Sequence, residues 1–175
     1  MREPLIQTQR LDLCVPSMDD LDALASMWSD PETMKYIGAG GAWDREKVAE
    51  RIERAIETFN EHSLCFWTVV ERETDTVIGQ GGLVPIAFNG PEIELGYRLG
   101  RAHWGKGYAT EIARAAAAYA FGPGGLDRLV AVCSEENLGS RRVLSKAGFR
   151  ELGVSEVYYA TRTILHECTP YDLDR

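Results

Sequence analysis

Gly100-Arg101-Ala102-His103-Trp104-Gly105-Lys106-Gly107-Tyr108-Ala109-Thr110-Glu111 is the stretch on which the reading of this chain turns. It follows an apolar, strand-like run, Ile93-Glu94-Leu95-Gly96-Tyr97-Arg98-Leu99, and opens an alanine-rich helical run from about Tyr108 to Phe121. The first amides of a helix have no partner inside it, and the helix dipole favours negative charge there. A glycine-rich turn between a strand and such a helix is therefore a place to hold phosphate. Gly105 and Gly107 allow close backbone approach and positive φ.

The common phosphate loops do not fit. A Walker loop needs Ser or Thr after the lysine, and Lys106 is followed by Gly107. The dinucleotide fingerprint needs a third glycine where Thr110 stands. A Gly-x-Gly turn ahead of a helix remains, with an ordinary helix start as the alternative. Downstream, an apolar strand Leu129-Val130-Ala131-Val132-Cys133 leads to Asn137-Leu138-Gly139-Ser140-Arg141-Arg142-Val143-Leu144-Ser145-Lys146-Ala147-Gly148-Phe149.

Together these two segments resemble the GCN5-related N-acetyltransferase (GNAT) superfamily. The nearer resemblance is to the branch of the ribosomal-protein N-terminal (RimJ/RimL-type) acetyltransferases. That branch reads aromatic-Gly-Lys-Gly-Tyr-Ala-Thr-Glu, then Asn-x-x-Ser-x-x-Val-Leu-x-Lys-x-Gly-Phe. The resemblance runs from Thr8-Gln9-Arg10-Leu11 onward. There are two departures. The superfamily's leading Gln/Arg falls at Ala102, with Arg101 one place early. The tyrosine that many relatives place seven residues after the asparagine is Leu144 here.

The 175 residues suit one domain, 1-175, that buries about two-thirds of its unfolded surface. With 45% hydrophobic and 26% charged residues the chain reads as an ordinary soluble globular protein. No apolar run approaches the ~20 residues of a membrane span, and Met1–Leu5 lacks a signal-peptide core. Cys14, Cys65, Cys133 and Cys168 are scattered without a Cys-x-x-Cys. A cytoplasmic protein with no metal site, no membrane partner and no disulfide is expected. The net charge of −8 argues against nucleic-acid binding; it would weakly attract a cationic substrate, with solubility alone as the favoured alternative.

Along the chain, Leu11–Val15 alternates as a first strand, and Ser17-Met18-Asp19-Asp20 reads as a capping box before Leu21, Leu24 and Trp28 at helical spacing. Asp30-Pro31 breaks that helix. Asp44 caps an amphipathic helix with Val48, Ile52, Ala55, Ile56 and Phe59 on one face. Strands at about Leu64–Glu71 and Val77–Leu83 are joined by a Thr74-Asp75 turn. A strand over Glu92–Leu99, a helix from Tyr108 closed by Gly122-Pro123-Gly124-Gly125, a strand near Arg128–Cys133, a helix near Leu138–Ala147 and two final strands complete the order. This predicts an α/β (α+β) fold. The resemblance implies the GNAT-like mixed, partly splayed β-sheet flanked by helices on both faces. Val157–Glu167 reads as one long last strand, and its pairing across a homodimer is one expectation.

The resemblance implies acetyl-CoA as cofactor and direct acetyl transfer to a primary amine, either a small-molecule amine or a peptide or protein N-terminus. Backbone amides over His103, Trp104, Gly105, Lys106, Gly107, Tyr108, Ala109 and Thr110 are expected to hold the pyrophosphate, with Asn137, Ser140 and Arg142 as further cofactor contacts. Lys106 and Arg101 are the charges nearest that loop. Leu95, Tyr97 and Leu99 lie on the strand whose free amides meet the cofactor arm and the oxyanion, and Gly96 suits a bulge there, with ordinary packing as the alternative. Glu94 is the first choice of general base and Glu92 the second, since residues two apart share a strand face. Ser140 is the hydrogen-bond donor for the leaving sulfur, with a plain first-turn helix residue as the alternative. Tyr36, Trp43 and Tyr158 are candidates for gripping the acceptor through aromatic contact. The alternatives are an acyl-CoA-binding sensor on the same fold, a nucleotide-dependent transferase, and transfer of a longer acyl chain.

Overall fold

The computed structural model describes residues 3–86, 90–156 and 162–173. Tyr158 lies outside the described residues, as does the first half of the long last strand. The described strands are β1 (Ile6–Gln7), β2 (Leu11–Cys14), β3 (Phe66–Glu71), β4 (Thr76–Pro85), β5 (Ile93–Leu99), β6 (Leu129–Ser134), β7 (Arg150–Ser155) and β8 (Thr163–Cys168). They form one sheet in the order β1-β2-β3-β4-β5-β6-β8-β7. Every neighbouring pair is antiparallel except β5 and β6, which run parallel.

The helices are α1 (Leu21–Trp28), α2 (Pro31–Met34), α3 (Arg45–His62), α4 (Tyr108–Phe121), α5 (Leu138–Lys146) and α6 (Pro170–Leu173). The caps read from the sequence are in place. Ser17 and Asp20 form a reciprocal capping box, and the Asp44 side chain accepts from Lys47 N at 2.8 Å. Asp30-Pro31 both ends α1 and starts α2: Asp30 caps it and Pro31 occupies the first turn, where its missing N–H costs nothing. Two apolar clusters result. One joins the sheet to α4 through Leu83, Leu95, Leu99, Ile112 and Ala116. The other packs α1 and α3 together through Leu24, Trp28, Val48 and Ile52. Burial of each such aliphatic side chain contributes about 1.5–3 kcal/mol.

β5 is where the sheet opens. It pairs with β4 at all seven of its residues, Ile93 to Leu99, but meets β6 at Glu94↔Val130. The N–H of Gly100 donates to Ile78 O on β4, so by strand alternation the backbone of Leu95, Tyr97 and Leu99 faces the β6 side. Beyond the single pairing with Val130 the two strands part. Both carboxyl ends then run to helix N-termini, β5 to α4 and β6 to α5.

One expectation is corrected. The β4–β5 register is continuous across Gly96, so there is no bulge. Glycine is needed because a Cβ would stand 2.7 Å from the ring of Phe66, which lies across the strand. The described part of the last strand, β8, is held between β6 and β7 along Thr163–Cys168. That part has no free edge to offer a second copy.

Candidate active site

The loop after β5 is a single 3-10 turn, Arg101–His103, followed by Gly105 at φ 75° and Gly107 at φ 83°. Gly107 occupies the cap position of α4, and no side chain there bonds to the helix amides. α3 and α5 differ: Asp44 caps one and Asn137 the other, accepting from Ser140 N at 3.0 Å. An uncapped N-terminus of a fourteen-residue helix, with glycines instead of side chains in front of it, fits an anion. The loop is braced from behind. Arg10 donates to Lys106 O at 3.0 Å and pairs with Glu111 at 2.7 Å, and Thr8 donates to Glu111 at 2.6 Å.

A groove of about 690 Å³ runs between the two helix starts. His103, Trp104, Gly105, Gly107, Tyr108, Ala109 and Thr110 line one wall, and Asn137, Ser140 and Arg142 the other. Lys106 does not line it; its ammonium lies 5.9 Å from the Tyr108 ring. Arg101 turns away to Asp30 at 3.5 Å. The Tyr108 hydroxyl donates to Glu71, so this residue offers the groove its backbone rather than its phenol. Burial, helped by the charge of Lys106, holds His103 below the ordinary histidine value, and its buried Nδ1 has no partner among the described residues. It is neutral at physiological pH.

The groove is continuous with a cleft of about 390 Å³ at the opening between β5 and β6. Tyr36, Ile37, Tyr97, Arg98, Asn137 and Ser140 line both. Glu94, 8% exposed, and Leu95 line the cleft, as do Cys133 and Leu144. The Tyr97 hydroxyl lies 2.8 Å from Ser140 Oγ. Burial pushes the Tyr97 phenol well above the ordinary range, and Ser140 offsets this only in part. Tyr97 therefore keeps its proton at neutral pH. Burial likewise raises the Cys133 thiol, against an opposing hydrogen bond from Ser140, so it is no thiolate nucleophile.

Glu92 and Trp43 lie elsewhere. Glu92 precedes the first residue of β5, so the alternation that would place it beside Glu94 does not reach it. It pairs with Arg128, which also holds Glu167. Trp43 does not line the cleft; it packs edge-on against Trp28 at 5.9 Å. Tyr36 is 37% exposed at the mouth of both spaces.

Several lining residues were missed in the sequence, Phe66, Arg98 and Gln80 among them. Phe66 covers Gly96, and Arg98 and Gln80 stand opposite each other on β5 and β4. The signal was the even spacing of Glu94, Gly96 and Arg98, which puts all three on one face. Among the described residues the charged lining of the cleft is Lys35, Arg98 and Arg162 against Glu94, with Arg162 also paired to Glu135 at 3.8 Å. The negative net charge of the chain thus does not describe its cleft.

Residues 10–150 match the family model described as acetyltransferase (GNAT) domain. The chain is 33% identical over 153 residues to an uncharacterized N-acetyltransferase, p20, of Bacillus licheniformis, covering 87% of this chain and 86% of that protein. The fold is similar to a crystal structure of an acetyltransferase from Agrobacterium tumefaciens, with TM-score 0.80, 26% identity, and 96% and 95% of the two chains covered. It is also similar in fold to a putative ribosomal-protein-serine acetyltransferase from Vibrio cholerae, with TM-score 0.77, 22% identity, and 94% and 97% covered.

Proposed function

The chain belongs to the GNAT family of acetyltransferases, whose acetyl donor is acetyl-CoA, and from that premise we propose that it moves an acetyl group directly onto a primary amine. One observation carries this reading: Glu94 and the Tyr97–Ser140 pair line the same cleft, at the point where β5 and β6 part. A base and a proton donor on opposite sides of one opening are what aminolysis of a thioester requires.

The residues fit the donor. The uncapped start of α4 and the wall of Asn137, Ser140 and Arg142 form a groove suited to a pyrophosphate. The β6-facing edge of β5 beyond Leu95 offers backbone N–H groups to a pantetheine arm. Acetyl-CoA bound there supplies an acetyl group activated as its thioester. The chain's own residues do the rest. Glu94 accepts the proton of the incoming ammonium, directly or through a water. We assign the oxyanion to a backbone N–H of β5, that of Tyr97, because it faces the side where β6 has parted. Ser140 Oγ, hydrogen-bonded to the Tyr97 hydroxyl, is the donor for a departing sulfur. Leu144 holds the position where many relatives carry a tyrosine, and Tyr97 brings a phenol to Ser140 from the neighbouring strand.

The acceptor classes are a small-molecule amine and a peptide N-terminus, gripped at Tyr36. We read residues 1–175 as one catalytic domain. Among the described residues no helix is long and apolar enough to cross a membrane. The four cysteines are buried and none forms a disulfide, and we read the enzyme as cytoplasmic. The test is calorimetric titration with acetyl-CoA, with NADH and ATP as controls, followed by an amine screen for thiol release. One-to-one binding of acetyl-CoA alone and amine-dependent release of CoA are expected. A folded protein that ignores acetyl-CoA refutes the proposal.

A further inference from the structure

Arg98 is an arginine in the wrong surroundings for a structural residue. Its guanidinium lies 3.8 Å from the Trp28 ring centroid and 4.5 Å from that of Trp43. It donates to Gln80 Oε1 at 3.2 Å. Among the described residues no carboxylate pairs with it. The buried acids among the described residues are Asp20 and Glu94, and Asp20 accepts from Thr68 Oγ1 at 2.7 Å and from Ser17 N at 3.0 Å. Thr68 stands opposite Gln80 in the β3–β4 register. Burial and the repulsion of Arg51 lower the Arg98 pKa to about 9, which leaves it charged at neutral pH.

A desolvated charge is ordinarily paired, because an uncompensated one costs several kcal/mol. Here the pairing is with neutral groups only. Gln80 has spent its oxygen on Arg98, and its Nε2 is buried without a hydrogen-bond partner among the described residues. Both residues line the cleft, and Arg98 keeps part of its surface open to it. Two tryptophans and one amide thus hold a guanidinium at the wall of the acceptor space, on the same face of β5 as Glu94. Gly96 between them contributes no side chain. Among the described residues the rest of the charged lining adds Lys35, and Arg162 with its partner Glu135 at 3.8 Å.

We propose that Arg98, seated by Gln80 between Trp28 and Trp43, binds a carboxylate carried by the acceptor, so that the substrate is an amine and an acid in one molecule. The inference rests on the amine-acetylating reading given above and narrows its acceptor class. Glu94 and Arg98 are four residues apart on an extended strand, about 13 Å between their Cα atoms. An acceptor that reaches from one to the other therefore has several bonds between its amine and its carboxylate, as in an ω-amino acid or a short peptide. A guanidinium matches a carboxylate with two parallel hydrogen bonds, which a carboxamide does not reproduce.

The experiment is calorimetric binding to the protein saturated with CoA. The ligands are pairs that differ only as acid and carboxamide: ω-amino acids of increasing length, and di- and tripeptides with a free or amidated C-terminus. The acid of at least one pair should bind about 10- to 100-fold more tightly than its amide to the wild-type protein. The series that shows the preference identifies the source of the carboxylate. Arg98→Met keeps a long side chain between the indoles and should bring that ratio to about one, while Arg98→Lys retains part of it. CoA affinity unchanged in Arg98→Met certifies that the variant is folded with its donor groove intact. If Arg98→Met loses CoA binding, Gln80→Leu replaces it, and the acid-to-amide ratio should fall severalfold. No acid preference in any pair, or a preference that survives both Arg98→Met and Gln80→Leu, overturns the inference. Failure of the wild-type protein to bind CoA at all overturns the acetyltransferase reading instead, so the two failures are distinct.

Discussion

The two faces of β5 are built in different ways. Toward α4 and α5, Leu95 and Leu99 are core residues, Tyr97 reaches Ser140, and the chain continues without a break into Gly105, Gly107 and the bare start of α4. Toward α1 and α3, Glu94 and Arg98 flank Gly96, and their neighbours come from Trp28, Trp43, Phe66 and Gln80 on four other parts of the chain. On the proposed reading, the donor side relies on backbone and a contiguous motif, and the acceptor side on side chains gathered from a distance. A shared donor and a variable acceptor need just such a division, because backbone geometry persists while gathered side chains can be exchanged one at a time.

The largest expected effect tests the donor side. Gly107→Val places a β-branched residue at φ 83°, a conformation it adopts only under strain, so the first amides of α4 must move. Acetyl-CoA affinity should fall by about 100-fold or more in calorimetry, from the loss of two charge-assisted hydrogen bonds, with the circular dichroism of the fold retained. Next is the acceptor side. Glu94→Gln should lower kcat by about 100-fold and leave acetyl-CoA affinity unchanged. It should also remove the acidic limb of the kcat/KM profile; a wild-type profile in the variant would remove Glu94 as the base.

Smaller effects are expected where the faces meet. Tyr97→Phe and Ser140→Ala should each slow turnover by about tenfold, and the double variant should be little worse than the slower single one, because they form one hydrogen-bonded unit. Full additivity would separate them. The smallest effect concerns the brace behind the loop. Burial favours the neutral form of Glu111, but hydrogen bonds from Thr8 and from the backbone and guanidinium of Arg10 outweigh it and hold the carboxyl below the ordinary glutamate value. The unfolded chain then takes up a proton at a higher pH than the folded one. The brace stabilises the protein above the ordinary glutamate range and is lost as pH falls through the lowered value. Glu111→Gln should cost about 1 kcal/mol at pH 7, a modest figure since Arg10 is partly exposed, and the gap to wild type in urea titrations should close on acidification.

The same contrast explains what could be read in advance. The helix starts at Ser17, Asp44 and Tyr108 and the Thr74-Asp75 turn follow from local chemistry over a few residues and are where the sequence put them, whereas the short β1, α2 and α6 were not read from it. The opening beside β5 is also in place, and it came from the resemblance and not from periodicity. The acceptor face was not legible. Arg98 reads as one more charge in a strand until Trp28 and Trp43, seventy and fifty-five positions away, close on it. Trp43 looks like a pocket aromatic because its loop is rich in glycine, yet it serves as a wall of the guanidinium's seat. Glu92 fails for a simpler reason: strand alternation holds only within the strand, and β5 begins one residue later.

The division of the site between the two faces of β5 is tested most directly by one set of calorimetric titrations with acetyl-CoA, into wild type, Gly107→Val and Glu94→Gln. One-to-one binding to wild type, the same affinity within about twofold in Glu94→Gln, and a loss of about 100-fold in folded Gly107→Val is the expected result. Equal affinity in all three, or none in folded wild type, would contradict it.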